Sequence, residues 1–375
     1  MDNILFLLAY YILCSQTRFQ APKSVIMSYN LKRNCLIYSF VVGNLLFFQA
    51  AQAQGPLSQL DNIVANKAKT YKTDAVLVVA SKDTVVYQKD TKLFSASRGQ
   101  APIGSSSQWL TTALILQLAD EGKLSLDDKV VDHLPVFGKY GKNYITIRHC
   151  LSHFTGIQAE EKMKLFSKKK FASLEEEVAS FAAKEIQTNP GTEARYSEMG
   201  FLIVARIAEV VSKKKFDMLA QQKLFRPLGM RQTSFSTMDG SVVNPATGAR
   251  STAADYIRFL RMLLNNGTHN GQKILSAEAV AELRKIHAPS AGLKGAPKGV
   301  EGMDYALGVW APEQRNGTEA AVLVGPSFGG TTPVVDFCRG YAFVLLLKEL
   351  DEEVKGDAFT EVKSELDTKF TSNCK

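Results

Sequence analysis

Ile103-Gly104-Ser105-Ser106-Ser107-Gln108-Trp109-Leu110-Thr111-Thr112-Ala113-Leu114-Ile115-Leu116-Gln117-Leu118-Ala119-Asp120-Glu121-Gly122 is the stretch whose reading decides the fold. A polar segment ends in three serines, and a helical period begins. Leu110, Leu114 and Leu118 share one face, while Ala113, Ile115 and Leu116 occupy others. The period stops at Gly122, behind Asp120 and Glu121. A helix that is apolar on nearly every side is predicted to be buried. Serine at the mouth of such a helix has two readings. It caps the helix, or its hydroxyl faces a pocket as a nucleophile.

Upstream, Asp74 to Ala80 and Thr84 to Tyr87 are β-branched runs around the polar turn Ser81-Lys82-Asp83, a hairpin signal. Downstream, about 125–290 is mostly helical in period, with clear helices from Phe201 to Val211 and from about Ala253 to Leu264. Pro227-Leu228-Gly229 and Asn265-Asn266-Gly267 punctuate it as turns. Strand character returns in Ala320–Val324 and Tyr341–Leu347, and Glu361–Phe370 reads as an amphipathic closing helix. Strands at both ends with helices between predict an α+β fold. Its sheet part would span about 57–100 and 300–375, and its helical part about 105–290. No internal repeat or low-complexity segment is present.

The N-terminus reads differently. Lys32 and Arg33 precede the apolar run Leu36–Phe48, and Ala51-Gln52-Ala53 follows as a small-residue cleavage pattern. That order describes a secretory signal peptide over about 27–53, cut after Ala53. The run falls short of the about 20 residues a membrane span needs, and an uncleaved anchor is the alternative reading. A second apolar run, Ile4–Leu13, points to a natural start at Met27, with 1–26 an over-extended reading frame. Residues 54–375 would then form the folded domain, exported to a periplasmic or extracellular location with no membrane span after leader cleavage.

The whole chain is 375 residues, 45% hydrophobic and 22% charged, the balance of a globular protein with a sizeable core. The net charge of +8 shrinks once Arg18, Lys23, Lys32, Arg33 and Asp2 leave with the leader. The runs Lys168–Lys170 and Lys213–Lys215 have no aromatic interleaving, so nucleic acid is not an expected partner. Cys14 and Cys35 fall in the leader. Cys150, Cys338 and Cys374 remain, permitting one disulfide at most, and their spacing resembles no metal site.

Several segments in order carry a resemblance. Ile103–Gln108 through Leu116–Asp128 is similar to the first motif and helix of the class C β-lactamase, D-alanyl-D-alanine carboxypeptidase and related esterase group, the penicillin-recognising serine hydrolases. Thr146–Gly156 resembles the segment that follows, and Pro190-Gly191 to Tyr196-Ser197-Glu198 the second motif. Phe225–Met230 and Ser251–Asp255 resemble two further landmarks. The resemblance covers about 57–350 and implies a β-lactamase/transpeptidase-like fold, with an antiparallel sheet from both chain ends, flanking helices and a mostly helical insert. No metal or organic cofactor is implied.

The family's first motif is Ser-x-x-Lys, in which the lysine, one helical turn on, helps take the serine's proton. Here Ser105 holds the nucleophile position, but Gln108 stands where lysine is expected. An amide can orient a hydroxyl and cannot deprotonate it. Tyr196 holds the general acid/base position of the second motif, with a hydrogen-bonded core tyrosine as its plainer reading. Glu198 replaces the motif's asparagine, either as an acid in the first turn of the next helix or as a replacement base if partly buried. The third motif expects Lys or His, then any residue, then Gly. This chain has Gly325-Pro326-Ser327-Phe328-Gly329-Gly330-Thr331, with Gly325 or Ser327 at the cation's position and neither basic. Its glycines would supply an oxyanion-hole amide or close strand packing.

A pocket of this kind with no cation and with Glu198 ionised carries about one negative charge, which disfavours carboxylate ligands. One expectation is a catalytically impaired envelope protein that binds a small-molecule or cell-wall-derived ligand. Another is an active serine esterase, amidase or peptidase using Ser105 with Tyr196 or Glu198 as base. A third is a structural envelope protein with a filled pocket.

Overall fold

Alternation along the first strand explains the architecture. The computed structural model describes residues 57–91, 94–158, 171–235, 237, 241–327, 330–348 and 359–374. The leader expected over 1–53, the Lys168–Lys170 run and Gly329 lie outside them. In strand β1 (Ala75–Ser81), Ala75, Leu77 and Val79 enter one core, and Val76, Val78 and Ala80 enter a second on the opposite face. The hairpin signal is realised: β1 pairs antiparallel with β2 (Val85–Asp90), the register shifting between Val79 and Ala80.

Strand β1 also pairs antiparallel with a strand from the other end of the chain. Five late strands follow: β3 (Asp304–Tyr305), β4 (Trp310–Gln314), β5 (Ala320–Val324), β6 (Thr332–Asp336) and β7 (Tyr341–Leu347). With β1 and β2 they form a seven-stranded sheet in the order β2-β1-β7-β6-β5-β4-β3, every pairing antiparallel. Val78 faces Val344 and Ala75 faces Leu347 across the central seam. Strands β5, β6 and β7 are buried along their whole length, so both faces of the sheet are covered.

Helix α1 (Ser58–Thr70) and helix α7 (Thr360–Asp367) cover one face with Leu60, Val64, Val362 and Leu366. The other face receives α2 (Ser107–Asp120) and the insert, whose longer helices are α3 (Leu174–Ala182), α4 (Met199–Ser212), α5 (Ala253–Leu264) and α6 (Ala277–Arg284). Helix α2 is buried nearly all round, as its composition predicts: Trp109, Leu110, Ala113, Leu114, Ile115 and Leu118 are all inaccessible. The insert is less continuous in helix than its period suggests. Among the described residues between α2 and α3 it holds short helical pieces, Val130–His133 and Ile147–Leu151 among them. Among the described residues Cys338 and Cys374 form a disulfide, tying the C-terminal tail to the β6–β7 turn, and Cys150 is a buried free thiol.

Among the described residues no helix is long and apolar enough to cross a membrane, and no group of three or more His, Cys, Asp and Glu side chains is placed to hold a metal ion.

Candidate active site

The site forms where the entrance to α2 meets the end of β5. Gly104–Ser106 is a single 3-10 turn that runs directly into α2. Gly104 has φ +48, and a Cβ there would lie 2.2 Å from the Ser327 hydroxyl oxygen. Only glycine allows both the left-handed backbone and that approach. The turn is then pinned from behind, because Tyr256 donates to the Ser106 carbonyl at 2.9 Å and Ser107 accepts from the Ala249 amide at 3.1 Å.

Ser105 does not cap the helix. The 3-10 turn carries the chain past it, the N-cap position falls on Ser106, and no side chain caps the helix there. The half-buried Ser105 hydroxyl instead donates to the Pro326 carbonyl at 2.9 Å, and Ser106 donates to the Gly325 carbonyl. The third-motif segment thus meets the first motif through backbone oxygens. It offers no oxyanion amide over 325–327. The Gly325 amide bonds the Pro333 carbonyl at 3.0 Å, the Ser327 amide bonds the Thr331 carbonyl at 2.7 Å, and Pro326 has no N–H. The Gly330 amide is also spent, on the Ser327 carbonyl at 2.9 Å. The Gly325, Ser327 and Gly330 amides are thus engaged locally, while Phe328 and Gly329 of the same segment lie outside the described residues. Gly325 is closely packed. A Cβ on Gly325 would lie 3.1 Å from the Trp109 ring.

Gln108 is 2% exposed and bonded at both ends. Its Nε2 donates to the Tyr196 hydroxyl at 3.0 Å, and its Oε1 accepts from the Tyr305 hydroxyl at 3.0 Å. Tyr196 is held by three backbone clasps: the Arg195 amide on the His153 carbonyl, the Tyr196 amide on the Lys294 carbonyl, and the Ser197 amide on His153 Nδ1 at 3.2 Å. His153, in the left-handed region at φ 67, packs its ring against Tyr196 and Tyr305 at centroid distances of 4.6 and 4.5 Å. Trp310 stacks on Tyr196 at 5.5 Å.

Charge is scarce in this cluster. Burial pushes the Tyr196 phenol up, and the Glu198 charge adds to the effect, while hydrogen bonding with Gln108 and Ser105 pulls the other way. Burial likewise raises Tyr305 well above the ordinary phenol and lowers His153 to about 3, so all three rings are neutral at neutral pH. Glu198 sits at the N-cap of α4, but it is exposed rather than partly buried, and its Oε2 accepts from Asn244 Nδ2 at 3.2 Å.

The structure therefore brings Ser105, Gln108, Tyr196, Gly325 and Ser327 together, with Glu198 at the rim. Sequence reasoning missed Tyr305, His153 and the Pro326 carbonyl. His153 and Pro326 lay in segments already singled out by resemblance, Thr146–Gly156 and Gly325–Thr331, and Tyr305 did not.

Comparison with known proteins gives the same picture of the fold. The family model described as Beta-lactamase matches residues 60–364. Penicillin-binding protein 4 of Amycolatopsis lactamdurans is 30% identical over 213 residues, 48% of this chain and 55% of that protein. Protein flp of Staphylococcus aureus is 28% identical over 162 residues, 42% of this chain and 32% of that protein. The match thus spans about half or less of these curated relatives. A solved Bacteroides dorei chain, classed among the beta-lactamases, superposes with a TM-score of 0.74 at 26% identity, covering 84% of this chain and 98% of the other. The hydrolase EstCE1 shares the fold at a TM-score of 0.70 with 17% identity, over 84% of this chain and 98% of its own.

Proposed function

Because the chain belongs to the beta-lactamase family, we propose that it is an exported serine-hydrolase relative in which acyl transfer is impaired and the pocket serves to bind a small molecule, cell-wall-derived fragments included. One observation carries this reading. The residue one turn from Ser105 is an amide, Gln108, with both ends committed to neutral phenols. It has no basicity with which to take the Ser105 proton. That proton rests on the Pro326 carbonyl, which accepts a hydrogen bond without becoming a base. The loss of a positioned base costs about 10²–10⁴ in rate, and groups that act as a unit lose more than their separate shares.

The engaged amides at Gly325 and Ser327 support the same reading, since a tetrahedral oxyanion at Ser105 would find no free amide over residues 325–327. Export is supported by the order of charged, apolar and small residues before Ala53, and by the Cys338–Cys374 disulfide, which suits an oxidising compartment.

The test is covalent labelling with a fluorescent penicillin and a fluorophosphonate. The unmodified protein should label no more than Ser105→Ala. Gln108→Lys, alone or with Glu198→Asn, should gain label. Robust labelling of the unmodified protein that disappears in Ser105→Ala would overturn the proposal.

A second reading, an active esterase, amidase or peptidase, draws on the hydrogen-bonding reach between Ser105 and Tyr196. Tyr196 or Glu198 would then act as base. On that reading Tyr196→Phe or Glu198→Gln abolishes turnover of small esters that the unmodified protein hydrolyses.

A further inference from the structure

A hydrogen-bond inventory of the groups around Ser105 shows an imbalance. The Ser105 hydroxyl hydrogen is spent on Pro326, and Gln108 Nε2 is spent on Tyr196. The amides of Gly325 and Ser327 are spent on Pro333 and Thr331. The hydrogen bond between Tyr196 and Ser105 takes the Tyr196 hydroxyl hydrogen, since the Ser105 hydrogen is already on Pro326. Acceptors are in surplus: a carbonyl oxygen has two lone pairs, and the hydroxyl oxygens of Ser105 and Tyr196 each accept as well.

The charge is biased in the same direction. His153, Tyr196 and Tyr305 are neutral, and Gln108 stands where a cation would. Glu198 is exposed at the rim, and among the described residues its hydrogen-bond partner is Asn244, a neutral amide. The α4 N-terminus offsets part of its field, yet that field still reaches the Tyr196 hydroxyl. Arg195 and Lys294, the basic residues joined to Tyr196 through the backbone, are both exposed, and Arg195 pairs with Glu193 at 2.9 Å.

We propose that the pocket in front of Ser105 selects ligands bearing an ammonium group, whose N–H donors meet the surplus acceptors beside the Glu198 carboxylate, and discriminates against carboxylates. This rests on the reading of the site as a binding pocket. An ammonium brings three donors and the opposite charge, whereas a carboxylate brings acceptors alone and the same charge as Glu198. The preference departs from the anionic ligands that a cation at positions 108 or 325–327 would attract.

Saturation-transfer NMR on the full protein, with benzylamine, benzamide and benzoate as matched probes, tests it. Benzylamine should bind most tightly, with an advantage of about three- to fivefold over benzamide, as one exposed charge supplies, and a smaller one at high salt. Benzoate should bind weakest, and Glu198→Gln should bring benzylamine down to the level of benzamide. Benzoate binding as well as benzylamine, an ammonium preference that survives in Glu198→Gln, or no binding of benzylamine would each overturn the proposal. Labelling at Ser105 reads reactivity and this experiment reads binding, so either can fail while the other stands.

Discussion

Tyr305 donates its hydroxyl to Oε1 of Gln108 at 3.0 Å, across 197 residues of sequence, and both side chains are buried. This bond orients the amide. With Oε1 committed to Tyr305, Nε2 must face Tyr196, which makes the Tyr196 oxygen the acceptor there and turns its own hydrogen toward Ser105. Tyr305 therefore sets the polarity of the network from a position that touches no candidate ligand group.

Tyr305→Phe should leave Gln108 Oε1 buried without a donor. The cost of such an orphaned acceptor is about 1–3 kcal/mol. Urea denaturation should show it as a lower midpoint with an unchanged slope. Tyr305→Phe combined with Gln108→Leu removes both partners, so the pair should cost less than the sum of the two single changes.

Gly104→Ala should damage both stability and the site. The residue would carry a side chain at φ +48, and its Cβ would lie 2.2 Å from the Ser327 oxygen. Strain of this kind costs about 1–3 kcal/mol. Relief requires the Gly104–Ser106 turn or Ser327 to move, and either motion disturbs the Ser105 to Pro326 bond. A fall in Tm together with changed NMR resonances around Ser105 is the expected result. An unchanged Tm would show that the turn has slack.

How much of this was legible in the sequence depends on what each contact uses. Strands β5 and β7 and helices α2, α4 and α5 follow from periodicity, because uninterrupted apolar runs of the right length leave few alternatives. Strand β6 was hidden by Pro333, which removes a ladder donor and argues against a central strand. The sheet tolerates it because the Pro333 carbonyl still accepts from Gly325. Strand β4, interrupted by Pro312, was hidden in the same way. Within the site, Ser105, Gln108 and Tyr196 were legible because motif spacing names them. Tyr305 and Pro326 were not. One reaches the site from far along the chain, and the other acts through a carbonyl that every residue has, so no residue type signals it.

Breaking the Cys338–Cys374 bond should loosen the sheet face covered by α1 and α7. The two cysteines are 36 residues apart, and closing a loop of that length stabilises by about 2–4 kcal/mol through the unfolded chain. Cys374→Ser should lower the urea midpoint accordingly, and dithiothreitol should do the same to the unmodified protein while leaving the variant unchanged. The tail is held as well by the Asn373 amide on the Cys338 carbonyl, so some order should remain there after reduction.

Stability should fall with acid in a window to which His153 and His287 contribute most, with His149 and His269, also lowered by burial, acting in the same direction. Burial lowers His153 to about 3 and His287 to about 4, from an unfolded value near 6.5. Between about pH 4 and 6.5 the unfolded chain therefore binds protons at these sites that the folded chain refuses, so stability rises with pH across that interval and is lost as pH falls through it. Each histidine contributes a slope of about 1.4 kcal/mol per pH unit where only the unfolded form is protonated. Carboxylates held low by partners, such as Asp127 beside Arg148 and Asp61 beside Tyr87, act in the same direction but lower down, around and below the ordinary carboxylate range. Asp255 and Asp336, raised by burial, act in the opposite direction, so the histidine contribution is read from the difference between the unmodified protein and a histidine variant. His153→Asn is a suitable probe, because asparagine tolerates the left-handed backbone at φ 67 and its Oδ1 can replace Nδ1 as acceptor for the Ser197 amide. Denaturation midpoints measured from pH 5 to 6.5 should show the pH slope reduced by about one proton in His153→Asn. An unchanged slope would mean that His153 takes up its proton in the folded state, and that the neutral ring packed between Tyr196 and Tyr305 has been misjudged.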